Sequence, residues 1–232
     1  MSDVLVVGAD ISVRHSALVV ADQGGKVVAV RYLCAKVKNA KKALGGTRCT
    51  PKTSKDVDGP TYEIRRLIWL RDYYERLTTE VAEIAVGLGV ESVHVGIEDY
   101  AYRAEMKAHQ IGEASGVFRL ACKDLGFMLR LHDPSSVKMF ATGRGNASKE
   151  EVQEGAIAKW GDQFEAQKYP EETGDGIRGD VADAFTLLMM TKTELDLRAG
   201  RVALGDLPKE ELRIFNRITK KYPVNLLERP WL

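Results

Sequence analysis

The chain has 232 residues, of which 44% are hydrophobic and 29% are charged, and its formal net charge is +1. This composition is typical of a globular protein and excludes an intrinsically disordered chain. No apolar run approaches the ~18 residues of a membrane-spanning helix, and the N-terminus lacks the basic flank of a signal peptide. We therefore expect a soluble cytoplasmic protein without a membrane partner. Its three widely spaced cysteines predict neither a disulfide framework nor a zinc site.

The net charge near zero hides an uneven distribution of basic residues. The segment from Arg31 to Lys55 contains eight basic residues and no acidic residue, which leaves a formal charge of −7 on the rest of the chain. Two interpretations stay open at this point, a solvated loop and an arm that neutralises phosphates. Net charge alone therefore does not exclude a nucleic-acid partner.

The first 34 residues predict a three-stranded antiparallel meander. Short apolar runs cover Val4–Ala9, Ser16–Ala21 and Val27–Leu33. Asp22-Gln23-Gly24-Gly25, between the second and third runs, is a hairpin signal. The basic segment then follows as an insertion at about residues 35–58, which we predict to be a loop.

Helices and strands are predicted to alternate after the insertion. Apolar residues recur at spacings of three and four from Ile64 to Leu88, which predicts a long helix. A β-branched run over Val90–Ile97 predicts a buried strand that ends at Glu98. A second helix from about Glu105 to Leu125 and a strand over Phe127–Leu131 complete the pattern.

The next segment predicts two further helices. Pro134 opens a short helical stretch, which a glycine-rich loop over 143–146 follows. Ser148 and Glu151 have the spacing of a capping box, so a helix is expected from there to about Trp160.

The last third of the chain predicts a loop, a long apolar helix and an extension. The polar stretch Gln163–Arg178 is predicted to be a loop, and the helix after it begins with Asp180 and Asp183 in its first turn. Taken alone, these two acids could merely cap the helix and favour its positive end. Residues 199–232 form a C-terminal extension with a short helix near Pro208–Lys221.

Four carboxylates are placed where the folded chain could bring them together. Asp10 and Glu98 end predicted strands, and Asp180 and Asp183 share one face of a helix. Two carboxylates about 4 Å apart repel by on the order of 4 kcal/mol at an effective dielectric constant near 20. Either some of them protonate or hard divalent cations such as Mg²⁺ bind, and a set of oxygen ligands without His or Cys favours the cations.

Five short blocks of the sequence, taken together with their order and spacing, match the pattern of a known family. They are Val6–Asp10, Gly96–Tyr100, Gly112–Val117, Val137–Lys149 and Asp180–Ala184. Together they resemble the RuvC-like Holliday junction resolvases of the RNase H-like superfamily, from near the N-terminus to about residue 190. The basic loop is a longer insertion than in the family, and the tail is unmatched. The chain also departs from the family at residues 11–13, where Ile-Ser-Val stands in place of the usual Pro-Gly-Ser.

The resemblance implies a fold and an activity. The fold is α/β, an RNase H-like mixed five-stranded sheet of an antiparallel meander plus parallel strands, flanked by helices, over residues 1–198. The activity is a metal-dependent, structure-selective endodeoxyribonuclease that resolves four-way DNA junctions by paired symmetric nicks, as a homodimer, in DNA recombination and repair. Two Mg²⁺ or Mn²⁺ ions would act in each active site. The implied metal-binding and catalytic residues are Asp10, Glu98, Asp180 and Asp183.

Ten further residues are predicted to contact DNA. The resemblance places Lys138 and Lys149 near the scissile strand and Tyr100 or a neighbour against unstacked bases. A packing or surface role is the alternative for Tyr100, Tyr102, Arg103, Arg144 and Lys149. The four histidines do not cluster in the sequence, and we expect none of them to be a ligand. The ten candidates are Tyr100, Tyr102, Arg103, Lys138, Arg144 and Lys149 and, in the insertion, Lys36, Lys38, Lys41 and Lys42.

Three other functions are alternatives to this one. A nuclease of the same fold could act on flaps, forks or RNA·DNA hybrids instead. A sugar-kinase or actin-like ATPase also begins with a meander, but it needs a second glycine-rich phosphate hairpin and a duplicated domain, which 232 residues without a repeat do not supply. A catalytically inactive DNA-binding module is disfavoured because all four acids are present.

Overall fold

The computed structural model describes residues 3–13, 15–34, 47–51, 63–99, 108–165, 175–221 and 230–232. These residues form one mixed sheet with helices on both of its faces. The strands are β1 (Val4–Asp10), β2 (Ser16–Ala21), β3 (Val27–Cys34), β4 (Thr47–Pro51), β5 (Ser92–Glu98) and β6 (Met128–His132). The helices are α1 (Glu63–Gly87), α2 (Ala108–Asp124), α3 (Pro134–Thr142), α4 (Lys149–Glu165), α5 (Asp175–Arg198) and α6 (Lys209–Lys221), with a 3₁₀ turn at Leu204–Asp206.

The strand order in the sheet is β4-β3-β2-β1-β5-β6. β1, β2 and β3 pair antiparallel, whereas β5 pairs parallel with β1 and with β6. The predicted mixed five-stranded sheet of a meander plus parallel strands is therefore confirmed.

A sixth strand corrects the prediction that the whole basic insertion is a loop. β4 lies inside the insertion and pairs parallel with the outer edge of β3. Its five residues carry no apolar alternation, so the open edge of β3 rather than a local pattern specifies this strand.

The two faces of the sheet carry separate hydrophobic clusters. On β1, Leu5 and Val7 pack with residues of α1 and α2, whereas Val6 packs with α5 on the other face. This alternation has the period of two that is expected of a strand covered on both sides.

A pair of glycines lets α5 lie directly against the sheet. Gly8 of β1 and Gly96 of β5 are register partners. A Cβ atom at Gly8 would lie 1.9 Å from the carbonyl oxygen of Ala184, and one at Gly96 would lie 1.9 Å from Oγ1 of Thr191. Because side chains two residues apart share a face, Asp10 and Glu98 lie on this same face, beside α5.

The start of α5 corrects the prediction for its two acids. The helix begins at Asp175, so Asp180 and Asp183 lie beyond its first turn and Asp180 is not its N-cap. Gly179 is typical of a helix break, but it lies inside α5. A Cβ atom at Gly179 would lie 2.9 Å from Cε of Lys149, so glycine leaves room for the lysine side chain. The predicted loop 163–178 is also shorter at its start, because α4 has a non-helical residue at Trp160 and then continues to Glu165.

The C-terminal extension packs against the rest of the chain. Ile214 and Phe215 of α6 join a cluster with Phe140 of α3 and Met190 of α5. The amide and carbonyl of Leu232 exchange hydrogen bonds of 3.1 and 3.2 Å with Leu129 of β6. Across the described ranges, no helix has the length and hydropathy needed to cross a membrane.

Candidate metal centre

The structure brings three of the four predicted acids together. Asp10 comes from the end of β1, and Asp180 and Asp183 come from successive turns of α5. One carboxylate oxygen from each of these residues lies within 4.8 Å of the other two. The glycine contacts between α5 and the sheet set this distance, since they bring the helix backbone close to β1.

Glu98 lies outside this close group but lines the same cavity. Asp10, Glu98 and Asp183 share a cavity of about 220 Å³ with two lysines, Lys138 and Lys149. The apolar part of its wall consists of Val137, Val152 and Leu187. All four predicted acids thus lie in or directly beside one opening.

Lys149 contacts two of the acids in the cluster. Its ammonium group donates a short hydrogen bond to Oδ1 of Asp180 and lies 3.4 Å from Oδ2 of Asp183. The side chain is about half exposed, at 49%. The ammonium group of Lys149 therefore places a positive charge beside Oδ1 of Asp180 and Oδ2 of Asp183.

The first turn of α4 is fixed by the predicted capping box. The amide of Ser148 donates to Glu151 at 2.7 Å, and the amide of Glu151 donates to the Ser148 hydroxyl at 3.2 Å. Arg144, predicted to contact phosphate, donates to the same Glu151 carboxylate in an exposed ion pair. These bonds orient the turn that carries Lys149.

Two residues near the acids were missed by the sequence reasoning. Tyr32 of β3 is buried, and its hydroxyl donates to Oδ2 of Asp180 at 2.8 Å. Nδ1 of His15 lies 3.7 Å from the same oxygen. Register offers a signal for Tyr32, since it lies opposite Ala17, which lies opposite Asp10. His15 has no comparable signal, because the β1–β2 turn determines its position.

The turn that precedes His15 is where the sequence departs from the resembled family. The amide of Ser12 donates to the Ser16 hydroxyl at 3.0 Å, and that hydroxyl donates to the Ser12 carbonyl at 2.7 Å. The amide of His15 donates to the Ser12 hydroxyl at 2.9 Å. Serine side chains therefore close the turn without the Pro-Gly pair.

The pKa values of Asp10 and Glu98 are raised by burial and by the negative charges of neighbouring acids. Burial, followed by the negative charges of Asp183 and Asp180, raises the pKa of Asp10 well above its usual range. Glu98 keeps contact with solvent, but partial loss of hydration in the cavity and the charge of Asp183 raise its pKa to about 7. Partial burial would lower the pKa of Lys149, but the hydrogen bond and charge of Asp180 outweigh this effect and raise it.

The residues present fit a hard divalent cation. All the acids offer carboxylate oxygens, which are the donors that Mg²⁺ and Mn²⁺ prefer. The raised pKa of Asp10 and the position of Lys149 show that a positive charge is favoured here.

Seven of the predicted DNA-contacting residues lie outside the described residues. Of the remaining three, Lys138 and Lys149 line the cavity and Arg144 pairs with Glu151. The seven are Tyr100, Tyr102, Arg103, Lys36, Lys38, Lys41 and Lys42.

The chain was compared with known proteins. No protein-family model matches it. Among solved structures it is similar to Thermus thermophilus RuvC, with 19% identity and a TM-score of 0.47 over 84% of this chain and 96% of that chain. It is also similar to T. thermophilus RuvC in complex with a Holliday junction substrate, with 20% identity and a TM-score of 0.47 over 82% and 92% of the two chains.

Proposed function

We propose that the protein is a metal-dependent, structure-selective endodeoxyribonuclease that resolves four-way DNA junctions. The observation that carries the proposal is the convergence of Asp10, Asp180 and Asp183, with Glu98, around one open cavity that also contains Lys149. Acids alone would indicate a cation site. The lysines beside them supply charge for a phosphate as well, which favours a phosphodiester substrate.

Each group in the cavity has a distinct part in the proposed reaction. Asp10, Asp180 and Asp183 would hold the cations, and Glu98 would complete the set from the end of β5, the strand next to β1. When bound, the ions supply a hydroxide nucleophile at neutral pH and stabilise the leaving 3′ oxygen. With the acids neutralised, Lys149 would contact the scissile phosphate, and the backbone N–H groups at the adjoining start of α4 would add attraction for the anion.

The resemblance of the five sequence blocks to RuvC-like resolvases supports a branched substrate and a homodimer. A four-way junction has two-fold symmetry, so two symmetric cuts require two equivalent active sites. We infer a homodimer for this reason.

The test of the proposal is cleavage of labelled DNA by the purified full chain. A four-way junction, a splayed arm, a flap, an RNA·DNA hybrid and a plain duplex are each incubated with Mg²⁺, Mn²⁺ or EDTA. We expect paired symmetric nicks in the junction alone, and only with a divalent ion. Preferred cutting of the flap or the hybrid would assign a different substrate, and cutting in EDTA would contradict the metal-dependent reaction.

Asp10→Asn tests the residues that carry the reaction. We expect cleavage to fall to the background of the protein-free control while junction binding is retained, because the change removes a charge from the cluster but little volume. Asp124→Asn, at an exposed position at the end of α2, is the matched control and should cut normally. Normal cutting by Asp10→Asn would remove this residue from the metal site. Gel-shift binding and nicking assays measure both properties.

A further inference from the structure

We propose that Tyr32 is a positioning residue for Asp180: its hydroxyl holds one carboxylate oxygen so that the other faces the cation. The inference rests on the proposed metal-dependent nuclease function and deepens it. It concerns a residue outside the five sequence blocks, on a strand at the far side of the meander from β5.

The register of the meander brings Tyr32 to the acids. Asp10 of β1 lies opposite Ala17 of β2, and Ala17 lies opposite Tyr32 of β3. Residues directly opposite one another across a sheet share a face, so these three side chains form a row. The middle member is a small, fully buried alanine. A larger residue at that position would separate the ring of Tyr32 from the cluster.

The two oxygens of Asp180 have different partners. Oδ2 accepts the hydroxyl of Tyr32 at 2.8 Å, and Nδ1 of His15 lies 3.7 Å from it. Oδ1 accepts from the ammonium group of Lys149, which also lies 3.4 Å from Asp183. Oδ1 is therefore the oxygen that faces the cation position, and Oδ2 is the oxygen that Tyr32 holds.

The bond from Tyr32 is difficult to replace. The phenol is the donor in this pair and the carboxylate oxygen is the acceptor. Tyr32 is 2% exposed and Asp180 is 5% exposed, which leaves little access for a water molecule in its place. Loss of the hydroxyl would free the carboxylate to rotate about its last bond, and Oδ1 would no longer be held toward the other acids.

The experiment measures metal binding without DNA. Titration of the full chain with Mn²⁺, followed by electron paramagnetic resonance or calorimetry, gives its affinity for the ion. We expect Tyr32→Phe to weaken Mn²⁺ binding roughly 10- to 100-fold, which is the usual effect of removing a partner that orients a metal ligand. Cleavage by Tyr32→Phe should then recover at high Mn²⁺ concentration, because the change affects binding of the ion and not the chemistry.

Tyr74→Phe is the matched control. Tyr74 is also a fully buried tyrosine beside the β1–β2 hairpin, and its hydroxyl pairs with Ser16 at 3.0 Å rather than with an acid. Both variants lose one buried hydrogen bond, so both are expected to melt at somewhat lower temperatures. Only Tyr32→Phe should change the affinity for Mn²⁺.

The outcomes separate this inference from the function on which it rests. Equal Mn²⁺ affinity for the unchanged chain and Tyr32→Phe would overturn the positioning role while leaving the proposed nuclease intact. An equal loss of affinity in Tyr74→Phe would overturn it too, since general loosening would then explain both. Absence of Mn²⁺ binding by the unchanged chain would overturn the inference and the metal-dependent function together.

Discussion

Lys149 connects the acids to the start of α4. Its stem passes over Gly179, where a Cβ would lie 2.9 Å from Cε, and its ammonium group reaches Asp180 and Asp183. The same group that would contact phosphate thus neutralises the acids in the absence of other cations. A divalent ion bound to those oxygens has to replace it.

This arrangement predicts that the stability of a Lys149 variant depends on metal. Lys149→Gln should lower the free energy of unfolding by on the order of 1 kcal/mol in EDTA, a value limited by the exposure of the ion pair. Saturating Mn²⁺ should reduce that loss, because the ion neutralises the acids instead. Thermal melts of both proteins with EDTA and with Mn²⁺ measure the difference. An equal loss in the two conditions would show that the lysine does not share its position with a metal.

His94 predicts a pH dependence of stability away from the metal centre. Burial, followed by the positive charges of Arg130 and Arg198, lowers its pKa to about 4. The surrounding groups are Ser92, at 3.2 Å from Nε2, Trp231, at 4.6 Å between ring centres, and Glu194, which binds both arginines. The folded protein therefore favours the neutral imidazole. The contribution of neutral His94 to the free energy of unfolding is complete above the ordinary pKa of about 6.5 and is lost as the pH falls from there toward 4.

Because of His94, the free energy of unfolding is expected to fall by on the order of 1–2 kcal/mol between pH 7.5 and pH 5. Urea unfolding of the unchanged chain and of His94→Gln at both pH values measures it. The variant cannot take up this proton, so it should lose less stability over the same interval. Parallel losses in the two proteins would contradict the assignment to His94.

At the scale of elements, the contact between α5 and the sheet positions the site. Gly8 and Gly96 face backbone or side-chain atoms of α5 at distances where a Cβ does not fit. Asp10 and Glu98 follow two residues later on the same strands and on the same face. The glycines thus bring the helix close, and the acids of the helix then meet those of the strands.

Gly8→Ala is therefore expected to destabilise the protein strongly, by about 3 kcal/mol, because the atoms it meets belong mainly to the backbone of α5. Gly116→Ala in α2 is the matched control, since a Cβ there meets nothing within 4 Å. A helical glycine replaced by alanine should be neutral or stabilise by up to about 1 kcal/mol. Chemical unfolding measures both changes, and a mild effect of Gly8→Ala would mean that α5 can shift away from the sheet.

For the whole molecule, the distribution of charge is more informative than its sum. Eight basic residues lie between Arg31 and Lys55, and the remaining −7 includes the four acids of the site. Because β4 lies within this insertion, deleting the insertion would also remove a strand. Replacement of charges is the cleaner test.

Changing Lys36, Lys38, Lys41 and Lys42 to Gln should weaken junction binding and reduce its salt dependence. The slope of log K against log salt is negative, and each lost phosphate contact reduces its magnitude by about 0.9. Changing Arg76 and Lys123, exposed on α1 and α2, is the control and should leave the slope unchanged. Binding isotherms at several salt concentrations give the slope. An unchanged slope in the variant with all four lysines replaced would exclude these lysines from phosphate contact.

Much of the fold is determined locally and is visible in the sequence. The meander, α1, β5, β6 and the capping box of α4 follow from apolar periodicity and short-range hydrogen bonds, which depend on neighbouring residues. The four acids are visible in the same way, since Asp10 and Glu98 follow apolar runs typical of strands and Asp180 and Asp183 begin an apolar helical run, three residues apart.

The sequence alone specifies most of the strands and helices and the four acids that they carry. The tertiary structure decided the rest: strand β4, the earlier start of α5, the position of Lys149 among the acids and the bond from Tyr32 to Asp180. Tyr32 and Asp180 are 148 residues apart. Contacts over such separations depend on the register of the sheet and on how closely a helix packs against it, and local residue patterns do not encode either quantity.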